Sequence, residues 1–480
     1  MKATKIVATL GPASDTVDII TAMIEAGCDV FRLNFSHGSA EDHLARAMRV
    51  REASARAGRE VAIMGDLQGP KIRVGKFDGG KAWLEAGQPF LLDAALDNKA
   101  PVSNAQQASL DYKELPRDVL AGDTLLLADG LIQLKVDRVA GDKVFTTVEL
   151  GGELSNNKGI NRLGGGLTAQ ALTAKDLADI KTAVEIDVDY LAISFPKSAN
   201  DMQTARAILA AAGGKAKLIA KIERAEAIIP QTLDEIIDAS DGIMVARGDL
   251  AIEVGNAAVP ALQKRMIKRA REKNKLTITA TQMMESMITA PVPTRAEVSD
   301  VANAVLDGTD AVMLSAESAT GKYPVETIRT MASIALAAER SQVYELDRDF
   351  VNQQFARVDQ AIAMASLFTA FHLNAKAIAA LSQSGSTALW MSRHDSGVPI
   401  FALTPEVSAA RRAALYRGVR PIVVPFDSDR ELALLAAESA LKTRGAVSNG
   451  DLIVLSCGEP MGKSGGTNAL KVVRVGEHRG

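Results

Sequence analysis

Eight short apolar runs, all but the first ending in polar or small residues, constrain the fold of this chain more than any bulk property. They are Ile6 to Leu10, Val30 to Ser36, Val61 to Asp66, Tyr190 to Ser194, Leu218 to Glu223, Ile243 to Gly248, Thr277 to Thr281 and Ala311 to Ser315. Most are followed by segments whose apolar residues recur at three- and four-residue spacing: Asp15 to Ala26, Ala40 to Ala57, Asp201 to Ala212, Pro260 to Lys273 and Arg295 to Leu306. That spacing is the period of an amphipathic helix. Eight strand and helix alternations predict an α/β fold, a (β/α)8 TIM barrel. Active sites in such barrels form where the parallel strands end, and in this chain those ends carry the polar residues.

The rhythm breaks between Asp66 and Tyr190, where Asp-Gly pairs, Gly-rich turns and alternating runs such as Thr124 to Ala128 and Leu131 to Val136 take over. This predicts an inserted β domain. Gly69-Pro70 and Gly164-Gly165-Gly166 are its expected hinges, because glycine tolerates large backbone swings, so the insert is suited to act as a lid. Beyond about residue 340 strand-like runs return at Ala377 to Leu381, Ile400 to Leu403, Ile422 to Val424 and Leu452 to Ser456, a small α/β domain. The expected division is 1–69 with 167–340 for the barrel, 70–166 for the lid and 341–480 for the C-terminal domain. Roughly three domains of about 150 residues also fit the length.

Charge excludes more than it identifies. Lys and Arg number 55 against 58 Asp and Glu, a formal net charge of −3, so no basic field points to nucleic acid and no acidic tail points to disorder. The two cysteines, Cys28 and Cys457, lack metal-ligand spacing and read as core thiols in a reducing compartment. No uncharged run approaches the ~20 residues of a membrane span, and the first apolar run lacks the pattern of a signal peptide. A cytoplasmic protein with no membrane partner is expected.

The chemistry sits at the strand ends. Alternation along a strand places Arg32, Asn34 and Ser36 on one face, with Leu33 and Phe35 packed behind. The fifth run ends Ala220-Lys221-Ile222-Glu223 and the sixth Ala246-Arg247-Gly248-Asp249, which brings two carboxylates and a lysine to neighbouring strand ends. Mg2+ takes oxygen ligands and commonly uses one or two protein carboxylates. A lysine converging with such an ion suits phosphoryl transfer, where negative charge spreads over the moving group's oxygens; the alternative is a structural Lys-Glu salt bridge. Thr281 at the seventh strand end, and Ser315 and Glu317 at the eighth, complete the ring. In the C-terminal domain Ser382-Gln383-Ser384-Gly385-Ser386-Thr387 joins a strand to a helix-like run, an arrangement able to bind phosphate, and Gly462-Lys463-Ser464-Gly465-Gly466-Thr467 is placed to close over the same anion. Either loop alone is also compatible with an ordinary capped turn.

Together these residues resemble the pyruvate kinase family over nearly the whole chain: TKIVATLGPAS from Thr4, RLNFSHG from Arg32, GPKIRVG from Gly69, AKIE from Ala220, ARGDLA from Ala246 and ATQMMESM from Ala280. The resemblance implies transfer of the phosphoryl group of phosphoenolpyruvate to ADP, giving ATP and pyruvate, by a barrel with a β-barrel lid and a C-terminal α/β domain. It also implies a homotetramer regulated by an effector. Position by position, Glu223 and Asp249 match ligands of Mg2+ (or Mn2+), Lys221 the lysine on the transferred group, and Arg32 a further phosphate contact. Asn34, His37, Arg73 and, more weakly, Lys175 match nucleotide-side residues. Gly248, Asp249 and Thr281 match the substrate site, Thr281 near the carbon that receives a proton. Ser315 and Glu317 match a pair assigned to a water relay, although Ala316 and Ser318 stand where glycine and threonine are usual. Ser382, Ser384, Gly385, Ser386 and Thr387 resemble the effector phosphate loop, implying activation by a phosphorylated metabolite.

One departure is informative. Asn34, Ser36 and Asp66 match the monovalent-cation ligands, but Leu67, Gln68 and Lys71 stand where potassium-dependent members carry threonine, lysine and glutamate. A lysine there supplies a covalent positive charge, so K+ is expected not to be required. Two rivals are a Mg2+-dependent lyase or aldolase of the phosphoenolpyruvate and pyruvate barrel group, and a catalytically dead metabolite sensor. The first has no need of the lid or Arg73, and the second would be expected to lose Lys221, Glu223 or Asp249.

Overall fold

In the computed structural model, which describes residues 2–342, 354–425, 429–463 and 465–477, eight parallel strands close into a barrel in chain order. They are Lys5–Thr9, Val30–Asn34, Ala62–Asp66, Tyr190–Ile193, Lys217–Ile222, Gly242–Ala246, Leu276–Ala280 and Ala311–Leu314. The first strand pairs with the eighth, Lys5 opposite Ala311, which completes the ring. Helices Ala40–Ala57 and Arg295–Leu306 match the spacing-based expectation, and each starts at a capping box, Ser39 with Asp42 and Thr294 with Glu297. One expectation needs correction. The second strand stops at Asn34 and Ser36 lies in a turn, so Ser36 does not continue the face of Arg32 and Asn34.

The insert forms a six-stranded, mostly antiparallel sheet with a separate two-stranded ribbon, Lys81–Leu84 with Gly152–Ser155. The sheet's edge strands are Ile160–Arg162 and Gln107–Ser109. Single bridges from Arg73 to Gly159 and from Val74 to Leu110 join the chain beside both edges, so the sheet curls round a core that includes Phe90, Leu125, Leu134 and Val144. The insert's junctions are tied to the barrel mouth. Gly69, at φ +68°, donates its amide to Asp176 at 3.0 Å. On the return, the Gly164 amide reaches the Glu253 carbonyl at 3.0 Å and the Gly166 amide the Glu226 carboxylate at 2.5 Å. Both glycines lie at positive φ, where a side chain would strain the backbone.

The C-terminal sheet runs in the order Val419–Val423, Ile400–Thr404, Ala377–Leu381, Leu452–Gly458, Thr467–Arg474. The last strand is antiparallel and was not expected from the sequence; the first begins three residues before the anticipated Ile422. Its core merges with the base of the barrel. Met64, Tyr190 and Met244 share one apolar cluster with Leu367, Ile378 and Leu415, and the Tyr190 hydroxyl donates to the Arg412 carbonyl at 2.6 Å. Cys28 and Cys457 are both buried free thiols, as expected of core residues. No helix among the described residues is long and apolar enough to cross a membrane.

Candidate active site

Asp66 ends the third strand with no solvent exposure, and two cations meet it. Arg32 Nε donates to its Oδ2 at 2.6 Å, and Lys221 Nζ stands 3.3 Å from its Oδ1. Arg32 also donates to the Thr9 hydroxyl at 3.0 Å, which is itself anchored on the Leu314 carbonyl at 2.8 Å. Five of the eight barrel strands are thereby tied together. Burial opposes ionisation of Asp66, but Lys221 and Arg32 hold its carboxyl below the ordinary aspartate range.

Lys221 has two further partners, Glu223 Oε1 at 2.9 Å and the Ser194 hydroxyl at 2.7 Å. Burial disfavours its charge, yet Asp66 and Glu223 more than offset that and keep the ammonium above the ordinary lysine range. Glu223 fares differently. Burial pushes its carboxyl up to about 7 against the pull of Lys221, and Asp249 adds repulsion. Asp249 sits in the first turn of helix Arg247–Val254, which starts as the sixth strand ends. A buried carboxylate held near neutrality beside a second carboxylate favours a hard cation between them, and the oxygen donors fit Mg2+. Among the described residues no group of three or more His, Cys, Asp or Glu is arranged to hold a metal, so any ion here must complete its shell with other oxygens.

The seventh and eighth strand ends are equally constrained. Thr281 lies at φ +72° and Gln282 at φ +53°, a region costly for a β-branched residue. The Thr281 hydroxyl accepts the Gly248 amide at 2.9 Å and donates to the Ala280 carbonyl at 2.6 Å. Arg247 holds this turn through the Ala280 and Thr281 carbonyls, at 3.2 and 2.6 Å, while paired with Asp300 at 2.7 Å. The buried Glu317 carboxylate accepts the Ser315 amide at 2.7 Å and the Met284 amide at 3.2 Å, joining the two strand-end loops; burial raises its carboxyl despite these bonds. Gly248, Asp249 and Thr281 line a cleft of about 640 Å3 shared with the lid residues Leu126, Asp129 and Gln133. Arg247, Ser194 and Thr9 escaped the sequence reading. Their one signal was a polar residue at a strand end, which capping alone would explain.

Other residues fall further from this centre. The Asn34 side chain accepts the Ser36 amide at 3.1 Å, and His37 is exposed on the following turn. Lys175 Nζ donates to the Phe35 carbonyl and pairs with Asp179, both at 2.6 Å, so it braces that turn. Arg73 is half-buried in the lid, where its amide donates to Asp111 at 2.7 Å. Lys71 is exposed and lines a small gap with Asp249, Arg224 and Glu253; no contact from its side chain to Asp66 is seen among the described residues.

In the C-terminal sheet, the Ser382 hydroxyl accepts the Gly385 amide at 3.1 Å, and Ser384 donates to Ser386 at 3.2 Å. Gly385, at φ +79°, caps helix Ser386–Ser392. Thr387 is buried, its hydroxyl 2.7 Å from that of Thr467, so the two Gly-rich stretches do meet. Ser464 lies outside the described residues.

Comparison with known proteins agrees with this layout. Residues 1–328 match the family model described as pyruvate kinase, barrel domain, and residues 360–473 that described as pyruvate kinase, alpha/beta domain. The chain is 52% identical over 477 residues to pyruvate kinase II of Salmonella typhimurium, covering 99% of each. It is 50% identical over 477 residues to the pyruvate kinase of Buchnera aphidicola, again covering 99% of each, and 41% identical over 473 residues to that of Mycobacterium intracellulare, covering 98% of each.

Proposed function

This chain belongs to the pyruvate kinase family, and from that premise we propose that its barrel mouth transfers the phosphoryl group of phosphoenolpyruvate to ADP, giving pyruvate and ATP. The observation that carries the reading is Lys221, an ammonium held charged between Asp66 and Glu223 with Arg32 on the far side of Asp66. Two cations fixed in a buried mouth meet the charge of a phosphoryl group in transit without having to reorganise.

Glu223 and Asp249 would hold Mg2+ (or Mn2+), which supplies positive charge to the phosphoryl oxygens when bound. The chain's own residues do the rest. Arg32 and Lys221 hold the phosphoryl oxygens, and Lys221 stays beside the enol oxygen as the P–O bond breaks and the electron pair remains on the enolate. The Gly248 amide exchanges the Thr281 hydroxyl for the substrate carboxylate, and Thr281 lies beside the carbon that takes up one proton to complete pyruvate. Ser315 and Glu317 support a water at that face. Asn34, His37, Arg73 and Lys175 form the nucleotide side, with Arg73 delivered by the lid.

Three finer readings belong to the same proposal. Lys71 replaces the positive charge that Asn34, Ser36 and Asp66 would otherwise take from K+, making the enzyme independent of potassium. The Ser382 to Thr387 loop binds a phosphorylated metabolite that activates the enzyme, and the working form is a cytoplasmic homotetramer. The chain divides at 1–69 with 167–340, 70–166 and 341–480. The aldolase and sensor alternatives lose their ground, because the matched relatives span lid and barrel alike and Lys221, Glu223 and Asp249 are all present.

The test is the initial rate of pyruvate formation from phosphoenolpyruvate and ADP with Mg2+, titrating KCl upward from buffer free of potassium and ammonium. Full activity without KCl supports both the kinase reading and the role of Lys71. Activity that appears only with KCl keeps the kinase and removes that role, and no turnover at any KCl, with phosphorylated metabolites also supplied, removes the kinase reading.

A further inference from the structure

The turn from Asn34 to Gly38 is gripped by the helix that follows it, Ala40–Ala57. Phe35 is fixed on one side by Gly65, where an added Cβ would stand 2.8 Å from its ring. On another side lies the His43 ring, its centroid 4.5 Å away and the two planes tilted by 50°. Lys175 holds the Phe35 carbonyl at 2.6 Å. Gly38, at φ +85°, closes the turn, and a Cβ there would meet Arg46 Nη1 at 3.4 Å and both Asp42 Oδ2 and His43 Nε2 at 3.5 Å. His37 itself is exposed.

His43 is the anomaly in this arrangement. It is 2% exposed, yet neither ring nitrogen has a hydrogen-bond partner among the described residues. The backbone acceptor that faces the ring is the His37 carbonyl, which stops short of a formed bond. Burial and Arg46 hold the ring below the ordinary histidine range, with Lys175 adding to that and the His37 carbonyl and Asp179 opposing it. The ring is therefore neutral and carries one N–H donor. Arg46, one turn further along the helix, is also short of partners: its Nε is buried without a hydrogen bond and reaches Asp15 only at 3.6 Å, where Arg49 is already seated at 2.5 Å. A phenyl ring would pack against Phe35 equally well without leaving a polar atom unpaired. A buried donor without a partner is costly, and the cost is recovered when an acceptor comes within reach.

We propose that His43 is a positioning residue for the nucleotide: when ADP engages Asn34 and His37, the turn settles onto the helix and the His43 N–H bonds the His37 carbonyl, holding the turn in its nucleotide-bound form. The proposal rests on the kinase reading, which sets Asn34 and His37 against ADP. A hydrogen bond missing from the free chain and formed in the complex contributes its worth to nucleotide affinity. Phosphoenolpyruvate is insulated from this effect, because Arg32 takes its orientation from Asp66 and Thr9 on neighbouring strands. His43 thus acts on one substrate and spares the other.

The experiment measures the Kd of Mg-ADP by calorimetry, and the KM for each substrate, in full-chain His43→Phe and His43→Gln. Phenylalanine keeps a ring against Phe35 and removes both nitrogens; glutamine keeps an amide N–H close to the place of Nε2. For His43→Phe the expected result is a melting temperature at or above the parent's, Kd and KM for ADP raised about tenfold, and KM for phosphoenolpyruvate within about twofold. His43→Gln should recover most of the ADP affinity. Unchanged ADP affinity in His43→Phe overturns the proposal. So does a lowered melting temperature, a loss shared equally by the two substrates, or one that His43→Gln does not recover, since each marks a packing role alone. A parent that binds ADP yet forms no pyruvate would undo the kinase reading and leave His43 in its role.

Discussion

Arg393 and Asp310 form a two-pronged ion pair, their side chains 2% and 1% exposed, at the seam between the C-terminal sheet and the base of the eighth barrel strand. Arg393 follows the helix that begins at the Gly385 loop, and Asp310 precedes the strand that ends at Leu314, next to Ser315. Asp310 also accepts the Thr277 amide and hydroxyl at 2.9 and 3.2 Å and the Arg417 amide at 3.2 Å. Breaking a buried pair costs about 3–5 kcal/mol because it strands a charge. Arg393→Met leaves Asp310 with three donors, whereas Asp310→Leu strands those donors and the guanidinium together. Urea denaturation should therefore rank Asp310→Leu as clearly the more damaging; equal midpoints would refute the account.

Lys71→Glu places a carboxylate where the family resemblance implies one in potassium-dependent members. The variant should need KCl for turnover where the parent does not. Indifference of the mutant to KCl would remove Lys71 from the monovalent-cation account.

Glu223 and Glu253 are both raised to about 7, Glu223 by burial with Asp249 adding to it, and Glu253 by burial with Glu226 adding to it. A carboxyl raised from about 4.5 binds more protons folded than unfolded, so metal-free stability should fall as pH rises from about 4.5 to 7. Mg2+ competes with the proton on Glu223, so its affinity should strengthen through the same window, approaching tenfold per pH unit below about 7. Calorimetry in buffers of different ionisation enthalpy would count the proton released near pH 6.5. Mg2+ binding without proton release would contradict the assignment of Glu223 as ligand.

Gly248 shows no steric need for glycine in the protein alone: an added Cβ would meet nothing nearer than the Thr281 hydroxyl at 3.6 Å. If substrate lies against its amide, Gly248→Ala should keep its melting temperature while KM for phosphoenolpyruvate rises about tenfold or more. A variant with unchanged KM would place substrate elsewhere.

Lys221→Met should lower kcat by about a hundredfold or more, with phosphoenolpyruvate binding, measured directly, falling much less. Equal losses in both would make Lys221 a ground-state anchor instead of a group that follows the moving charge.

Strand and helix alternation was legible because its period survives in one dimension: Ala62 to Asp66 and Ala377 to Leu381 appear where the apolar runs predicted them. Thr467–Arg474 escaped because its burial is mixed and it follows a Gly-rich stretch, and Val419–Val423 was misplaced because Arg420 and Pro421 interrupt an edge strand. Lys175 entered only through the family resemblance, as a weak nucleotide-side match, and its position on the neighbouring helix directs its ammonium to the Phe35 carbonyl.

By itself, the sequence determined which polar residues stand at the ends of which strands, because side-chain alternation and turn chemistry are local. The tertiary structure decided which of them meet. Asp66 and Lys221 belong to the third and fifth strands, which never pair, each being hydrogen-bonded to the fourth. They converge because alternate strands of a closed barrel send their side chains into a common layer, and strand tilt and closure are properties of all eight strands together.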